Sequence, residues 1–470
     1  MKKIQLLTLI ILTLNGIIYS QCPAYLTLNT QTQIDNFIIE YPDCTEIYGQ
    51  VYISGENITN LNGLSNLISI GQELLIEDNN NLIDISGLSN LNHIGGVFTI
   101  KNNDVLASLI GLSNLITING FYIDISDNDV LTDMSGLENL TIVNQLFIEN
   151  NAGLTILSGF DNLSNIIEFL HIKSNGSLTT ISGFENLINI EGEISISNNQ
   201  NLVDLSGFNN LNYVEGSLFI TQNEVLTNMN GFYNIESIGN YLNIYHNTNL
   251  IELTGLENLV SVGGSLTLGE NYLLQNLNGL SGLNTIGNAL VIYKCNTLLS
   301  LSGLDALISI GGKLDISNNN DLESLAGIEN ILEESISELK IVFNPQLSIC
   351  EVKSVCDYLF SPNGDIEIHN NSNGCNNSDE VEYSCTVYQN EDKVYSDFSY
   401  YPNPAKNELF LTNNTFDKII NLSIYNQLGQ SVLIQNKISN RVDVSNLETG
   451  IYTIVVTSYS NIFRDKLIIK

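Results

Sequence analysis

Histidine, the side chain most often used for metal binding and for proton transfer near neutral pH, occurs only four times in 470 residues. No H-E-x-x-H pair places two of them on one helix face, as a zinc protease site requires. The sequence also lacks a G-x-x-x-x-G-K-[ST] phosphate loop and a G-x-S-x-G nucleophile turn. We therefore predict no catalytic and no metal-binding role for the histidines, which are His93, His171, His246 and His369.

Carboxylates offer the remaining route to catalysis, because 51 Asp and Glu residues make an accidental pair at glycosidase distance easy to find. A parallel β-helix polysaccharide lyase would also need a basic residue beside the acids, and the central part of the chain has very few Lys or Arg residues. We expect a protein that is not an enzyme and uses no cofactor. A polysaccharide-degrading enzyme is the less favoured alternative.

The net charge of -35 limits the classes of partner. Nucleic-acid binding needs a basic surface to neutralise phosphates, so we expect no nucleic-acid partner. Anionic lipid surfaces are disfavoured for the same reason. Asp- and Asn-rich turns raise the question of calcium, but no D-x-[DN]-x-[DN]-G loop is present, and we predict no metal site.

Aromatic side chains at outward positions of predicted strands are the strongest binding signal in the sequence. Rings on a flat sheet face bring large contact area at low entropic cost, and they suit a glycan or a protein ligand. The alternative is that these rings only stabilise strands, in which aromatic residues are favoured anyway. The predicted ligand-binding residues are Tyr122, Phe147, Phe169, His171, Phe219, Tyr241, Tyr245 and Tyr293.

A repeat of about 24 residues predicts the element that positions these rings. A Gly followed by an apolar residue recurs in twelve units, from Gly63 to Gly327. In each unit, apolar and variable residues alternate over a short stretch such as Leu266-Thr267-Leu268, which is typical of a half-buried strand. Stacked units bury apolar side chains that no single unit could bury alone. The sequence therefore predicts a β-solenoid of about twelve coils.

An asparagine three residues after each strand is predicted to point inward and to satisfy the backbone groups of the turn. Cys295 takes this position in one unit, which gives that odd cysteine a structural role. The predicted ladder is Asn79, Asn103, Asn128, Asn151, Asn175, Asn199, Asn223, Asn247, Asn271, Cys295 and Asn319.

The other six cysteines flank the repeat, two before it and four after it. This distribution suggests disulfide-stapled caps at both ends of the array, with the pairing in the C-terminal cap left open. The disulfide candidates are Cys22, Cys44, Cys350, Cys356, Cys375 and Cys385.

The unit L-x-G-L-x-x-L-x-x-I-x-G-x-L-x-I-x-x-N-x-x-L resembles the receptor L-domain family of leucine-rich-repeat-like solenoids, including long surface arrays of Bacteroidetes. The resemblance covers about residues 22–385. It implies a right-handed solenoid whose first coil, with Cys22 and Cys44, is closed by a disulfide. Twelve near-identical units depart from the shorter receptor modules, so no ligand-contacting residue is carried over.

The first residues are typical of a signal peptide. Lys2 and Lys3 precede an apolar run that is too short to span a bilayer, and we place cleavage after Ser20. No later apolar run approaches the length of a membrane span, so we expect no transmembrane segment in the mature chain.

The segment that follows the repeat reads as a small all-β sandwich of short strands. Its PNP at 402–404, IYNQLGQ at 424–430, LETGIY at 447–452 and terminal KLIIK closely resemble the C-terminal sorting domain of type IX secretion cargo. The resemblance implies the type IX secretion machinery as a partner and delivery to the cell surface or the medium. The motif residues are Pro402, Asn403, Pro404, Gly429, Gly450, Lys466 and Lys470.

The predicted fold class is all-β, with a capped solenoid followed by a small sandwich. The predicted function is ligand binding or adhesion through the parallel sheet face, and a passive structural surface component is the alternative. The predicted segments are a signal peptide at 1–20, an N-terminal cap at 21–56, the repeat at 57–343, a cysteine-containing cap at 344–385, a linker at 386–396 and the sorting domain at 397–470.

Overall fold

A computed structural model describes residues 22–393, 398–413, 419–426, 431–435, 441–458 and 462–470. The largest element is a parallel sheet of 21 strands, in which each coil contributes one face strand and some coils also contribute a two-residue strand. The strands that form this face are Leu26–Leu28, Val51–Ile53, Leu74–Glu77, Phe98–Lys101, Ile123–Ser126, Ile142–Glu149, Asn165–Lys173, Glu193–Ser197, Leu218–Thr221, Leu242–Tyr245, Leu266–Gly269, Leu290–Tyr293, Lys313–Ser317, Glu338–Val342 and Ile366–His369.

Short elements complete each coil. Two-residue strands precede the face strands in many coils and also pair in parallel: Glu46–Ile47, Ser69–Ile70, His93–Ile94, Thr117–Ile118, Asn189–Ile190, Tyr213–Val214, Ser237–Ile238, Ser261–Val262, Thr285–Ile286 and Ser309–Ile310. Ile156–Leu157 pairs with Thr180–Ile181. One-turn 3-10 helices lie at Asn62–Leu64, Ser86–Leu88, Ile110–Leu112, Ser206–Phe208, Asn278–Leu280 and Glu333–Ser335.

This architecture confirms the predicted β-solenoid. Leu266 pairs with Leu242 on one side and with Leu290 on the other, so equivalent residues of successive coils lie in register. The inward Leu and Ile residues of all coils form one continuous core, and most of them are fully buried. Burial of each coil against its neighbours supplies the free energy that an isolated coil would lack.

Glycine allows successive coils to approach closely. A Cβ added at Gly87 would lie 1.8 Å from the Leu61 carbonyl oxygen of the preceding coil. Gly303 has φ +109°, and a Cβ there would lie 2.4 Å from the Leu277 carbonyl group. These positions require glycine both for space and, at Gly303, for a backbone conformation that other residues rarely adopt.

A stack of phenylalanine rings runs through the middle of the core. In four successive coils the residue after the repeat glycine is Phe rather than Leu. Adjacent rings are nearly parallel, with centroids 5.3–5.5 Å apart. The stacked residues, all fully buried, are Phe160, Phe184, Phe208 and Phe232.

Both ends of the solenoid are closed by disulfide-bonded caps. Cys22–Cys44 joins the first coil, in which the helix Gln31–Glu40 covers the core with Ile34 and Phe37. At the other end, Cys356–Cys385 joins the helices Lys353–Phe360 and Ser378–Lys393 to each other, and Cys350–Cys375 joins the segments that precede these two helices. The second of these helices extends into residues 386–393, which the sequence analysis treats as linker. The caps cover sheet edges that would otherwise pair with other chains.

The C-terminal segment forms two small antiparallel sheets around a separate core. One sheet contains Phe398–Tyr401, Glu408–Asn413 and Arg441–Asp443, and the other contains Ile419–Tyr425, Ser431–Gln435, Gly450–Ser458 and Ile462–Ile469. The predicted signal peptide and the motif residue Gly429 lie outside the described residues.

Candidate ligand-binding face

An internal ladder of asparagine side chains fixes the turn that follows each face strand. Asn103 Nδ2 donates to the carbonyl oxygens of Ile76 at 2.9 Å and Lys101 at 3.0 Å. Its Oδ1 accepts from the backbone N–H of Asn79 at 3.3 Å and from Asn79 Nδ2 at 3.0 Å. All the ladder positions named in the sequence analysis are fully buried. The ladder thus satisfies backbone groups that the turn leaves inside the core.

The ladder is longer than the sequence pattern indicates. Asn344 accepts from the backbone N–H of Asn319 at 2.9 Å, and Asn371 does the same for Asn344 at 2.9 Å. Both asparagines escaped the sequence analysis because the last two steps are 25 and 27 residues long rather than 24. The signal that could have found them is an Asn shortly after a strand with alternating apolar residues.

Cys295 occupies its ladder position as a thiol. Its Sγ lies 3.8 Å from the carbonyl oxygens of Leu268 and Tyr293, and its backbone N–H donates to Asn319 Oδ1 at 2.9 Å. Burial raises the pKa of the Cys295 thiol to about 12, against the opposing effect of a hydrogen bond with the Asn271 backbone. A thiol with so high a pKa is a poor nucleophile at neutral pH.

A left-handed residue precedes every ladder position. These residues have φ between 53° and 59° although none is glycine. The bend places the next residue, the ladder asparagine, inside the coil and ends the face strand. The residues are Asp78, Asn102, Asp127, Asn150, Ser174, Asn198, Gln222, His246, Glu270, Lys294, Asn318, Phe343 and Asn370.

The eight predicted ligand-binding residues all lie on the outer side of the parallel sheet, and none is buried. The structure brings most of them into two groups. Cluster A contains Tyr122, Phe147, Phe169 and His171, and cluster B is built around Tyr245 and Tyr293. Phe219 lies on the strand Leu218–Thr221 between them, and Tyr241 directly precedes the strand that carries Tyr245. Within the described residues neither joins a ring contact of either cluster.

Cluster A is a chain of rings across three neighbouring strands. The Phe147 ring meets Tyr122 edge-on at 6.1 Å and His171 edge-on at 5.1 Å, and Phe169 lies 5.7 Å from His171. The imidazole of His171 lies between two carboxylates, with Nδ1 4.0 Å from Glu149 and Nε2 3.5 Å from Glu193. Edge-on ring pairs are a favoured aromatic geometry, so the cluster is held in place without a ligand.

Cluster B surrounds the carboxylate of Glu270. This carboxylate accepts from Lys294 Nζ at 2.6 Å and Tyr245 Oη at 3.1 Å, and its other close neighbour is His246 Nδ1 at 2.9 Å. Hydrogen bonds with Lys294, His246 and Tyr245 lower the pKa of Glu270 to about 2, against the effect of burial. The network therefore holds a carboxylate that stays ionised throughout the physiological range.

Tyrosine rings enclose this network. Tyr245 lies 5.7 Å from the His246 ring and 6.2 Å from Tyr293, and Tyr272 meets His246 edge-on at 6.3 Å. The sequence pattern did not indicate His246, Glu270, Lys294 or Tyr272 as face residues. His246, Glu270 and Lys294 are the left-handed residues that end their strands, and Tyr272 follows the ladder position Asn271, so all four lie where the alternation of inward and outward residues has ended.

Two lysines share one carboxylate farther along the same face. Asp315 Oδ2 lies 3.3 Å from Lys313 Nζ and 3.6 Å from Lys340 Nζ, and Lys313 also contacts Glu338 at 2.9 Å. These lysines and carboxylates therefore form ion pairs with one another. Clusters A and B are the parts of the face in which predicted ligand-binding residues contact one another.

The face presents aromatic and hydrogen-bonding groups that can stack on a ligand, hydrogen-bond with it and form ion pairs with it. Among the residues that the structure describes, no group of three His, Cys, Asp or Glu residues could hold a metal ion. The four histidines lie on different coils.

The sorting-motif residues of the C-terminal segment meet around the last strand. Asn403 Nδ2 donates to the Lys466 carbonyl oxygen at 2.8 Å, and Asn403 Oδ1 accepts from the Ile468 N–H at 2.9 Å. The Tyr400 hydroxyl donates to the same Lys466 oxygen at 2.9 Å. The PNP segment and the terminal KLIIK segment thus form one structural unit, which the spacing in sequence does not reveal.

The fold and its face define a capped parallel β-solenoid joined to a small antiparallel domain. Residues 399–470 match the family model described as the secretion system C-terminal sorting domain. This match indicates a protein of the Bacteroidetes type IX pathway that is secreted to the cell surface or outside the cell. No curated protein matches the chain. In the part of the chain that the structure describes, no helix is both long and apolar enough to cross a membrane.

Proposed function

We propose that the chain is a secreted or cell-surface recognition protein that binds a glycan or protein ligand on the outer side of its parallel sheet. The observation that carries the proposal is the grouping of half-exposed rings into clusters A and B on one continuous surface. A passive spacer has no need for such grouping, whereas ligand-binding sites combine apolar rings with a few positioned polar groups.

The resemblance of the repeat to receptor L-domains supports the same proposal. Those modules are ligand-binding ectodomain units, and the described solenoid has the parallel face and disulfide-bonded ends that the resemblance implies. The sorting tail supports it as well, because delivery to the cell surface brings the face into contact with external ligands. The proposal is one of adhesion or recognition and not of catalysis.

The test is a binding screen of the full chain, purified after secretion, against polysaccharides and whole cells. A variant with Phe147, Phe219, Tyr241 and Tyr245 replaced by Ser is compared with a matched control. The control replaces Tyr48, Tyr213 and Tyr233, which are exposed tyrosines outside the face strands. We expect binding that is lost in the face variant and retained in the control.

Each other result contradicts the proposal. Equal binding by both variants would place the ligand elsewhere on the molecule. Binding by neither variant nor the parent chain would favour a structural surface component. Release of reducing ends from a polysaccharide would show catalysis and favour a degrading enzyme.

A further inference from the structure

The most enclosed part of cluster A is a depression of about 480 Å³ beside Tyr122 and Phe147. Ser126, which is 4% exposed, lines it, and Thr99, which is 3% exposed, pairs with Asp124 on the adjacent strand. In the register of the sheet, Asp124 lies between Thr99 and Phe147. The depression is therefore a notch in a row of large side chains and not an irregular loop.

Carboxylates dominate the charge of this notch. Asp124, Asp127 and Glu149 line it together with one base, Lys101. Lys101 Nζ lies 3.6 Å from Asp127, so that lysine and that carboxylate offset each other. Glu149 is within 4.0 Å of His171, and Asp124 forms no ion pair with any described residue. The notch thus carries excess negative charge next to two aromatic rings.

Partial burial makes the charged form of Asp124 unfavourable in the free protein. Burial raises the pKa of the Asp124 carboxyl, neighbouring Asp127 adds to this rise, and Ser126 and Lys101 oppose it. A half-buried carboxylate without an ion-pair partner is costly, and a cation brought to it recovers part of that cost. The net charge of the whole chain attracts cations to the same surface.

The hydroxyl group of Ser126 indicates which other groups a cationic ligand of this notch would carry. Ser126 Oγ is buried, lines the notch and makes no hydrogen bond of normal geometry with any described residue, although it lies close enough to Asp124 to lower the pKa of that carboxyl. The amide side chains of Gln145 and Asn150 line the same notch. A lysine or arginine stem would leave these groups unpaired, whereas a ring that carries hydroxyl groups would pair with them.

We propose that this notch binds a free-amine sugar, with the ammonium group at Asp124 and Glu149 and the sugar ring against Tyr122 and Phe147. An ammonium group is attracted both by the carboxylates and by the faces of the rings. The inference rests on the proposed recognition function and names the chemical class of its ligand, which is an amino sugar without N-acetylation.

The test uses the full chain and glucosamine oligomers as probes in isothermal titration calorimetry. The matched probe is the same oligomer fully N-acetylated, which keeps the ring and the hydroxyl groups but removes the charge. We expect the free-amine oligomer to bind about tenfold more tightly or better, which corresponds to about 1.4 kcal/mol. Asp124→Asn is expected to abolish this preference, whereas Glu224→Gln, an exposed charge removal away from the notch, leaves it unchanged.

Asp124→Asn removes a half-buried charge and keeps the shape of the side chain, so it is not expected to unfold the chain. Thermal denaturation checks this. Equal binding of both oligomers, with loss in the four-residue aromatic variant, would overturn this inference and leave the proposed function standing. Preferential binding of an arginine- or lysine-rich peptide at Asp124 would overturn the assignment to a sugar. Failure of every polysaccharide and cell type to bind would overturn both proposals.

Discussion

The ring of Tyr293 lies directly over Gly269, on the neighbouring strand, and a Cβ at Gly269 would be 2.3 Å from the ring. This contact lets Tyr293 reach towards Tyr245, two coils away, with 6.2 Å between the ring centroids. Burial is the main reason that the pKa of Tyr293 rises to about 12. Cluster B therefore depends on one residue that has no side chain.

Replacement of Gly269 by Ala should displace the Tyr293 ring. The ring end is mobile, so we expect little change in thermal stability but a pKa of Tyr293 closer to the ordinary value of about 10. Absorbance of ionised tyrosine at pH 11 measures this, because Tyr293 in the parent chain stays largely protonated there. The Tyr293→Phe variant provides the control, and an unchanged titration in Gly269→Ala would contradict the described contact.

Glu270 should make stability depend on pH in the acidic range. Its folded-state pKa of about 2 is below the unfolded value of 4.5, so its contribution is present above about pH 4.5 and is lost as pH falls towards 2. Glu270→Gln lacks this contribution. The difference in urea midpoint between the parent chain and Glu270→Gln should therefore be constant near neutrality and shrink below pH 4.5. A difference that grows on acidification would refute the assignment.

Replacement of Cys295 by Asn should stabilise the solenoid. The amide can donate to the carbonyl oxygens of Leu268 and Tyr293, which the thiol contacts only at 3.8 Å, and its oxygen can accept from Asn271. We expect a gain of about 1 kcal/mol in the free energy of unfolding, as for a net buried hydrogen bond. Urea denaturation measures it, with Cys295→Ala as the destabilised comparison. A lower midpoint for Cys295→Asn than for the parent would contradict the prediction.

Removal of residues 397–470 should stop delivery without unfolding the solenoid. The matched sorting domain lies within this segment, and its core is separate from that of the solenoid. We expect the truncated chain to accumulate in the periplasm, which cell fractionation and surface proteolysis distinguish. Asn403→Ala tests the tail more finely, since it removes the bonds to Lys466 and Ile468. Normal surface exposure of the truncated chain would exclude the sorting role.

The solenoid could be predicted because its determinants repeat along the sequence. A glycine such as Gly87 and the alternation around Leu266 recur at nearly constant spacing, and register follows from that spacing alone. The outward position of rings such as Phe147 follows from the same alternation. Local periodicity is thus enough to assign the fold and the face.

The clusters could not be predicted in the same way. Glu270 and His246 belong to the left-handed turn, so no strand pattern places them on the face. Their contacts also join side chains of different coils. Which side chains meet depends on the size of the residue between them, because Tyr293 can lie over Gly269 only where that residue has no side chain. The notch beside Asp124 likewise combines residues of different coils, such as Lys101, Ser126 and Glu149. Such effects appear only when neighbouring coils are compared in register.

The asparagine ladder also gives the solenoid a direction. Each ladder side chain hydrogen-bonds with backbone groups of the preceding coil. Asn103, for example, donates to the Ile76 carbonyl oxygen and accepts from the Asn79 N–H. The turn of each coil is therefore fully hydrogen-bonded only when the next coil is in place. If the array were cut at any point, the last coil before the cut would lack the asparagine that satisfies its backbone groups, whereas the first coil after the cut would keep its own. At the C-terminal end of the ladder no further ladder asparagine follows Asn371 among the described residues. Asn371 Nδ2 donates instead to the carbonyl oxygen of Cys375, which is disulfide-bonded to Cys350. The two ends of the molecule are therefore not interchangeable, and fraying should begin at the end where this closure is lost.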